Sequence, residues 1–488
     1  MKKFFVTTPI YYVNAKPHIG HAYTTIAADV LARFHRERGD DVFFLTGTDE
    51  HGLKIQKKAE EAGEDPQKFV DEVSQEFKGY WEKLNIKYNN FIRTTDEKHK
   101  SAVQKVLQAL FERGAIYKGE YEGMYCVGCE QFRSENELVN GRCPDHDTVL
   151  EKIKEECYLL KLGVFQEELI DKIEKDELKI NPEKYKKEIL SFLRNQPLKD
   201  VSISRKNVSW GIPLPFDPQY TTYVWADAFL YYLTGLGWGG SIQGSTFLSA
   251  SSADSSRSNL RFWPADVQLI GKDILRVHAT IWPAMLMHLG IELPKMLYVH
   301  GHILSGGRKM SKTLGNGITI DEMLEKFGTD GTRYLLMSAG TFGEDVDMTM
   351  GRMVEKYNAD LANGLGNLVS RIVKLYEKID KSFELSHFNE FGGEDEILAR
   401  HMKEMRLDFA LKDSWTFIRV LDKYIEEYKP WELAKKDTGK FESVMEHLVH
   451  ALTVIADDMC FFMPETSEKI KEALETKKSE ILFPRIKH

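Results

Sequence analysis

Apolar residues near the N-terminus fall into two rhythms. Short unbroken runs, Phe4-Phe5-Val6 and Val42-Phe43-Phe44-Leu45, have the length and flanking residues of buried strands and predict strands at 3–8 and 41–46. Longer stretches repeat apolar residues every three or four positions, as at Val103, Val106, Leu107 and Leu110. These predict helices at 19–38, 66–83 and 95–113. Strands alternating with helices predict an α/β fold, a Rossmann-like doubly wound parallel sheet whose ligands lie beyond the carboxyl ends of its strands.

At 116 the pattern changes to a cysteine-rich knuckle followed by charged helical segments at 165–175 and 182–194, which reads as an insertion into the sheet domain. The α/β pattern returns with strands at 221–224, 267–270 and 296–299 and a helix at 274–289. Within it, 239–258 is dominated by Gly, Ser and Ala with no apolar face, the composition of a flexible surface loop. After 351 strands vanish, and helical stretches at 352–378, 396–428, 441–459 and 465–475 predict a bundle. The expected domains are a first catalytic half (1–115), a connective insertion (116–220), a second catalytic half (221–300), a linking region (301–350) and a helical domain (351–488). No internal repeat is visible.

Composition changes this picture little: 488 residues, 42% hydrophobic and 29% charged, suit a soluble enzyme with several domains. The apolar run after Met1-Lys2-Lys3 stops at Thr7, too soon for a signal peptide, and no later run approaches a membrane span. The cytoplasm is the expected compartment, with no membrane partner. There, three of five cysteines crowded between 126 and 143 point to metal rather than disulfides. A net charge of −9 argues mildly against nucleic acid. Local patches such as Lys184-Tyr185-Lys186-Lys187 and Arg205-Lys206 leave that open.

Candidate chemistry sits at the element junctions. Pro17-His18-Ile19-Gly20-His21 follows a strand and opens a helix, where free N–H groups and the dipole favour phosphate. His18 and His21 share one face of the first turn, and Gly20 permits close approach by a base or ribose. Lys309-Met310-Ser311-Lys312-Thr313, flanked by Gly306, Gly307, Gly315 and Gly317, suits a mobile loop whose lysines offset charge as pyrophosphate departs. Cys126-x2-Cys129 and Cys143-x2-His146, thirteen residues apart, form a closed tetrahedral set for one structural Zn²⁺. Cys157 and Cys460 read as ordinary buried thiols. Asp49, after a strand, is either an ammonium ligand or a helix cap. Tyr11, Tyr12, Trp225, Tyr231, Tyr232 and Trp282 are either core or the wall of a pocket for a polarizable thioether. His278 alone reads as a core histidine, Gly271-Lys272-Asp273 marks a nucleotide-side corner, and Trp431 is either core or a stacking platform.

With both histidine–lysine motifs, the Asp49-Glu50-His51-Gly52 corner, Tyr223-Val224-Trp225-Ala226-Asp227-Ala228 and Gly271-Lys272-Asp273 in hand, the chain resembles the class I aminoacyl-tRNA synthetases. Within them it resembles the methionyl-tRNA synthetase family in its single-zinc form, over roughly 4–465. The resemblance implies that His18, Gly20, His21, Lys272, Asp273, Lys309, Ser311 and Lys312 contact ATP. Among these, His18, His21, Lys309 and Lys312 stabilise the transferring phosphoryl group. It implies that Asp49 meets the α-ammonium of L-methionine, with Ile10, Tyr12, Trp225, Tyr232, His278 and Trp282 forming the pocket. It assigns Cys126, Cys129, Cys143 and His146 to zinc, and Asn367, Arg371 and Trp431 to the anticodon of tRNA(Met). Thr313 departs from the family's usual Ser but keeps the hydroxyl, and 239–258 looks longer than its counterpart. The chain stops at 488 without the appended dimerisation domain of some members, so a monomer is expected.

The implied reaction is acyl transfer in two steps. The methionine carboxylate attacks the α-phosphorus of ATP, accompanied by Mg²⁺, and the adenylate then acylates a terminal ribose hydroxyl of tRNA. No side chain need act as nucleophile, so catalysis is positioning plus electrostatic stabilisation. Enzymes for leucine, valine or isoleucine carry an editing insertion too large for 116–220, and a cysteinyl enzyme places zinc at its substrate. A silent tRNA-binding relative is expected to lose a motif His or Lys, and all four are present. A small nucleotidyltransferase sharing the first motif lacks the helical bundle.

Overall fold

The computed structural model describes residues 1–126, 131–133, 138–143, 147–206, 208–240, 255–310, 317–383 and 394–487. It divides into two compact units. One comprises Met1–Pro17, Asp40–Gly79 and Lys87–Val299, the other His18–Gly39, Tyr80–Ile86 and His300–His488.

The first unit is built on a seven-stranded sheet. Its spatial order is Asn90–Arg93, Asp41–Asp49, Lys3–Thr7, Val267–Gly271, Met296–His300 and Lys179–Asn181. The two-residue strand Tyr11–Tyr12 pairs with the carboxyl end of Asp41–Asp49. The registered pairings are parallel. Phe4, Phe5 and Val6 are buried, as are Phe43, Phe44 and Leu45. Both faces are therefore covered, which is why these strands read as continuous apolar runs. The chain winds outward in opposite directions from the junction of Lys3–Thr7 with Val267–Gly271, a topological switch point.

The segment following 116 supplies more than an appendage. A long antiparallel hairpin, Ile116–Cys126 against Glu151–Leu160, runs in register from Ile116↔Leu160 to Tyr125↔Glu151. Beyond it, Lys179–Asn181 becomes the sheet's edge strand, and Ile180 joins Ile270, Leu297 and Val299 in one core. Helices Gln166–Glu174 and Glu183–Asn195 bury Leu169, Ile173, Ile189 and Leu193 in that same core. The strand expected at 221–224 is observed as Asp217–Thr222, in a small antiparallel sheet with Ser204–Arg205 and Pro213–Leu214. The strand lies earlier than expected and ends at Thr222, because Ala226 N–H bonds Tyr223 O where helix Val224–Ala228 starts. Most of 239–258 lies outside the described residues.

The second unit is mainly helical. Helix Ile19–Glu37 is buried on nearly every side between Ala22 and Ala32. Arg333, on helix Ile320–Met337, is fully buried and pairs with Asp29 at 2.8 Å. It also donates to Phe462 O, Leu84 O and Phe461 O at 2.8, 3.1 and 3.0 Å. The expected helix at 352–378 is three joined segments, Met350–Lys356, the π-helical Tyr357–Gly366 and Asn367–Tyr376. The one expected at 396–428 breaks between Glu394–Lys403 and Leu407–Tyr428, where Met405 takes a left-handed φ of 61°. Gly306 and Gly307 form a tight hairpin turn with φ of 61° and 74°, pairing Leu304 with Lys309. Two successive left-handed positions match the strand twist, as a two-residue hairpin turn requires. No helix among the described residues is long and apolar enough to cross a membrane.

Candidate active site

In the second unit, the first motif caps its own helix. Gly20 N–H donates to His18 Nδ1 at 3.1 Å, and His18 N–H donates to His21 Nδ1 at 3.3 Å. This is a reciprocal capping box made by two imidazoles in place of Ser and Glu. The rings stack with centroids 3.7 Å apart. Since each Nδ1 accepts, a neutral ring carries its proton on Nε2. Burial and the neighbouring His18 hold the His21 pKa well below its ordinary value. Two imidazole Nε2–H donors at a helix N-terminus suit a polyanion. A Cβ at Gly20 would lie 2.9 Å from His18 Cε1, so any side chain there must displace the capping ring. Of the second motif, Lys309 pairs through its backbone with Leu304, while Ser311 and Lys312 lie outside the described residues.

In the first unit, aromatic rings form a layer on one core. Trp225 lies 5.6 Å from Phe229, Phe229 lies 5.8 Å from Trp282, and Tyr232 lies 5.4 Å from Trp282. Ile10 and Trp225 are partly buried against the cluster that contains Tyr232 and Trp282. His278 Nδ1 faces Ile274 O at 2.9 Å and Nε2 faces the Tyr232 hydroxyl at 2.9 Å. A carbonyl only accepts, so Nδ1 carries the proton and Nε2 takes the tyrosine hydrogen. Burial, opposed by the Ile274 carbonyl and Asp273, pushes the His278 pKa down to about 4. The layer is thus neutral at physiological pH. Its indole N–H groups at Trp225 and Trp282 are buried with no acceptor among the described residues. Phe229, between the two tryptophans, was absent from the sequence-derived set. Its position four after Trp225, a helical repeat, is the signal that marks it.

Asp49 ends the strand Asp41–Asp49, is buried, and stands in register beside Tyr12. It does not cap the next helix, since Gly52 is that N-cap with a φ of 111°. The adjoining Glu50 is braced by Arg93 at 2.7 and 2.8 Å, and its main chain by Trp210 Nε1 and Thr94. Lys272 and Asp273 occupy a 3-10 turn between strand Val267–Gly271 and helix Leu275–Leu289, the expected strand-to-helix corner.

Cys126 and Cys143 are buried together with Leu150 at the far end of the hairpin. Cys126 Sγ lies 3.7 Å from Thr148 Oγ1, and Cys143 N–H bonds Thr148 O at 2.9 Å. Cys129 and His146 lie outside the described residues, and among the described residues no three ligands converge. Two buried thiols sharing so small an apolar cluster is a donor chemistry that fits Zn²⁺.

In the helical region of the second unit, Trp431 is 37% exposed, so it is not core. The Arg371 guanidinium lies 5.9 Å from its ring and is held by Glu426 at 2.6 Å and Asp422 at 3.5 Å. Asn367, one turn before Arg371, is exposed on the same helix.

The family model described as "tRNA synthetases class I (M)" matches residues 4–152 and 146–373. A methionine–tRNA ligase of Clostridium acetobutylicum is 41% identical, over 99% of this chain and 78% of that protein. One from Clostridium tetani is 42% identical over 97% and 74%. The structure of Mycobacterium tuberculosis methionyl-tRNA synthetase in complex with methionyl-adenylate is similar with a TM-score of 0.88. It is 35% identical and covers 97% of this chain and 94% of that one.

Proposed function

The chain belongs to the class I tRNA synthetases, among the methionine–tRNA ligases, and from that premise we propose how its own side chains divide the work. The enzyme attaches methionine to tRNA at the expense of ATP, through methionyl-adenylate. A methionine carboxylate oxygen bonds to the α-phosphorus as pyrophosphate leaves. A ribose hydroxyl at the tRNA terminus then bonds to the carbonyl carbon as AMP leaves, taking the acyl–phosphate bonding pair with it.

His18 and His21 direct their Nε2–H donors and the helix N-terminus at the triphosphate, with the backbone at Gly20 open to the nucleotide. Ser311, Lys309 and Lys312 offset the charge that moves onto pyrophosphate, and Lys272 and Asp273 hold the nucleotide side. Mg²⁺ enters with ATP as part of the substrate. Asp49 takes the α-ammonium, with Tyr12 beside it. Ile10, Trp225, Tyr232, His278 and Trp282 enclose the side chain. Cys126, Cys129, Cys143 and His146 hold a zinc that pins the hairpin tip and takes no part in bond making. Asn367, Arg371 and Trp431 read the anticodon of tRNA(Met), Trp431 by stacking.

The observation that carries the amino-acid assignment is the neutral aromatic layer with its two buried indole donors. A thioether is soft, polarizable and a weak acceptor, whereas an aliphatic side chain offers those donors nothing. ATP–pyrophosphate exchange with each of the twenty amino acids tests this. Exchange with methionine above all others is expected. Exchange with leucine instead would overturn the assignment, and no exchange at all would leave a silent tRNA binder.

A further inference from the structure

A buried charge cluster in the first unit has no part in the scheme above. Asp227 is almost wholly buried on the five-residue helix Val224–Ala228. Its Oδ2 lies 2.6 Å from His51 Nδ1 and its Oδ1 lies 3.0 Å from His99 Nε2. His99 Nδ1 in turn meets Thr234 Oγ1 at 2.7 Å. A carboxylate only accepts, so both imidazole nitrogens facing it carry protons. Burial opposes ionisation of Asp227, but the two histidines more than compensate and hold it anionic.

The network ties helix Val224–Ala228 to three other elements: the corner after strand Asp41–Asp49, helix Glu97–Glu112 and helix Tyr231–Thr234. Its two ends matter for the substrate. His51 is two residues beyond Asp49, and Asp227 is two residues beyond Trp225. Trp225 is not tethered by its own indole N–H. A five-residue helix has no stability of its own, so the placement of Trp225 depends on what anchors its neighbours. Asp227 supplies the polar anchor, beside the apolar packing of Ala226 and Phe229. On the opposite side the corner is rigid, because Glu50 is gripped by Arg93, itself paired with Asp71 at 2.5 Å.

We infer that His51 is a positioning residue for amino-acid selection. Its bond to Asp227, backed by His99, sets the separation between the Asp49 carboxylate and the Trp225 indole. That separation measures the amino acid from ammonium group to side-chain end. The inference rests on the reading of Asp49 and Trp225 as opposite walls of the methionine site.

The test is ATP–pyrophosphate exchange on the full chain, with methionine, ATP and ethionine (one methylene longer) varied in turn. His51→Ala is expected to raise the methionine KM on the order of tenfold, leave the ATP KM within about twofold, and relax discrimination against ethionine. His51→Asn, which returns an N–H donor near Nδ1, is expected to restore most of the loss. If His51 acts through Trp225, the His51→Ala/Trp225→Ala double variant is no worse than Trp225→Ala alone. Equal rises in both KM values, or losses that multiply in the double variant, would overturn the inference. Trp225→Ala with unchanged methionine KM overturns the pocket reading and the inference with it. Should His51→Ala not fold, His51→Gln fills the volume without a donor at the Nδ1 position and carries the same expectations.

Discussion

His278 is fixed by two partners into one tautomer, its Nδ1–H spent on Ile274 O and its Nε2 on the Tyr232 hydroxyl. Proton uptake by the folded protein would break the second bond, which agrees with a pKa near 4. The unfolded chain takes up that proton at the ordinary histidine value, so it binds more protons than the folded one in between. Stability is therefore expected to fall as pH drops from about 6.5 towards about 4, by on the order of 3 kcal/mol from this residue. Urea unfolding of wild type and His278→Gln at pH 7, 5.5 and 4.5 checks this. The difference between the two proteins should shrink with acidification, and a constant difference would contradict it. Alone in the sequence, His278 looked like a core residue. Its fixed tautomer became visible only once the fold set Tyr232 and Ile274 against it.

Two elements owe their form to side chains at their ends. The helix Ile19–Glu37 begins with imidazoles in place of a hydroxyl and a carboxylate, which satisfies its first N–H groups while keeping the end free of negative charge. Gly20→Ala pushes a methyl group against the His18 ring. It is expected to lower kcat for adenylation at least tenfold while costing about 1 kcal/mol of stability, the usual scale of a lost cap. Steady-state exchange kinetics with thermal unfolding separate the two effects. At the hairpin tip, the core is the small cluster of Cys126, Cys143 and Leu150, to which the proposed zinc would add. Chelation, or Cys126→Ser, should release one zinc per chain by elemental analysis and open 126–148 to proteolysis. The sheet, whose core lies elsewhere, should unfold at nearly the same temperature. Loss of the whole fold would mean that the tip supports more than itself.

At the scale of the whole molecule, chain segments far apart in sequence are gathered by single buried groups. Arg333 reaches Asp29, Leu84, Phe461 and Phe462 within the second unit. Arg333→Ala strips Asp29 of one partner and leaves three carbonyls unpaired. Denaturant unfolding should register a loss of roughly 3–5 kcal/mol. A loss below about 1 kcal/mol would show that water replaces the guanidinium. Overall charge speaks to the encounter with tRNA. With a net charge of −9, the slope of log K against log salt should be shallow, corresponding to fewer than about five phosphates. A steep slope would reveal a concentrated basic face that the total conceals.

Apolar rhythm alone determined that a parallel α/β sheet precedes a helical region, because a strand buried on both faces and an amphipathic helix each leave a local period. The cap at His18 and the cysteine spacing were equally legible, since a helix cap and paired Cys-x2 spacings are short-range patterns. Tertiary structure decided what depends on distant neighbours. It showed that Asp49 is not a cap, that Lys179–Asn181 closes the sheet, and that Phe229 lies between two tryptophans. It also showed that Asp227 is bracketed by His51 and His99, 176 and 128 residues away. Such partners share no local spacing. They meet only because burying apolar faces forces the sheet and its helices together, and a buried carboxylate must then find its donors wherever the fold has carried them.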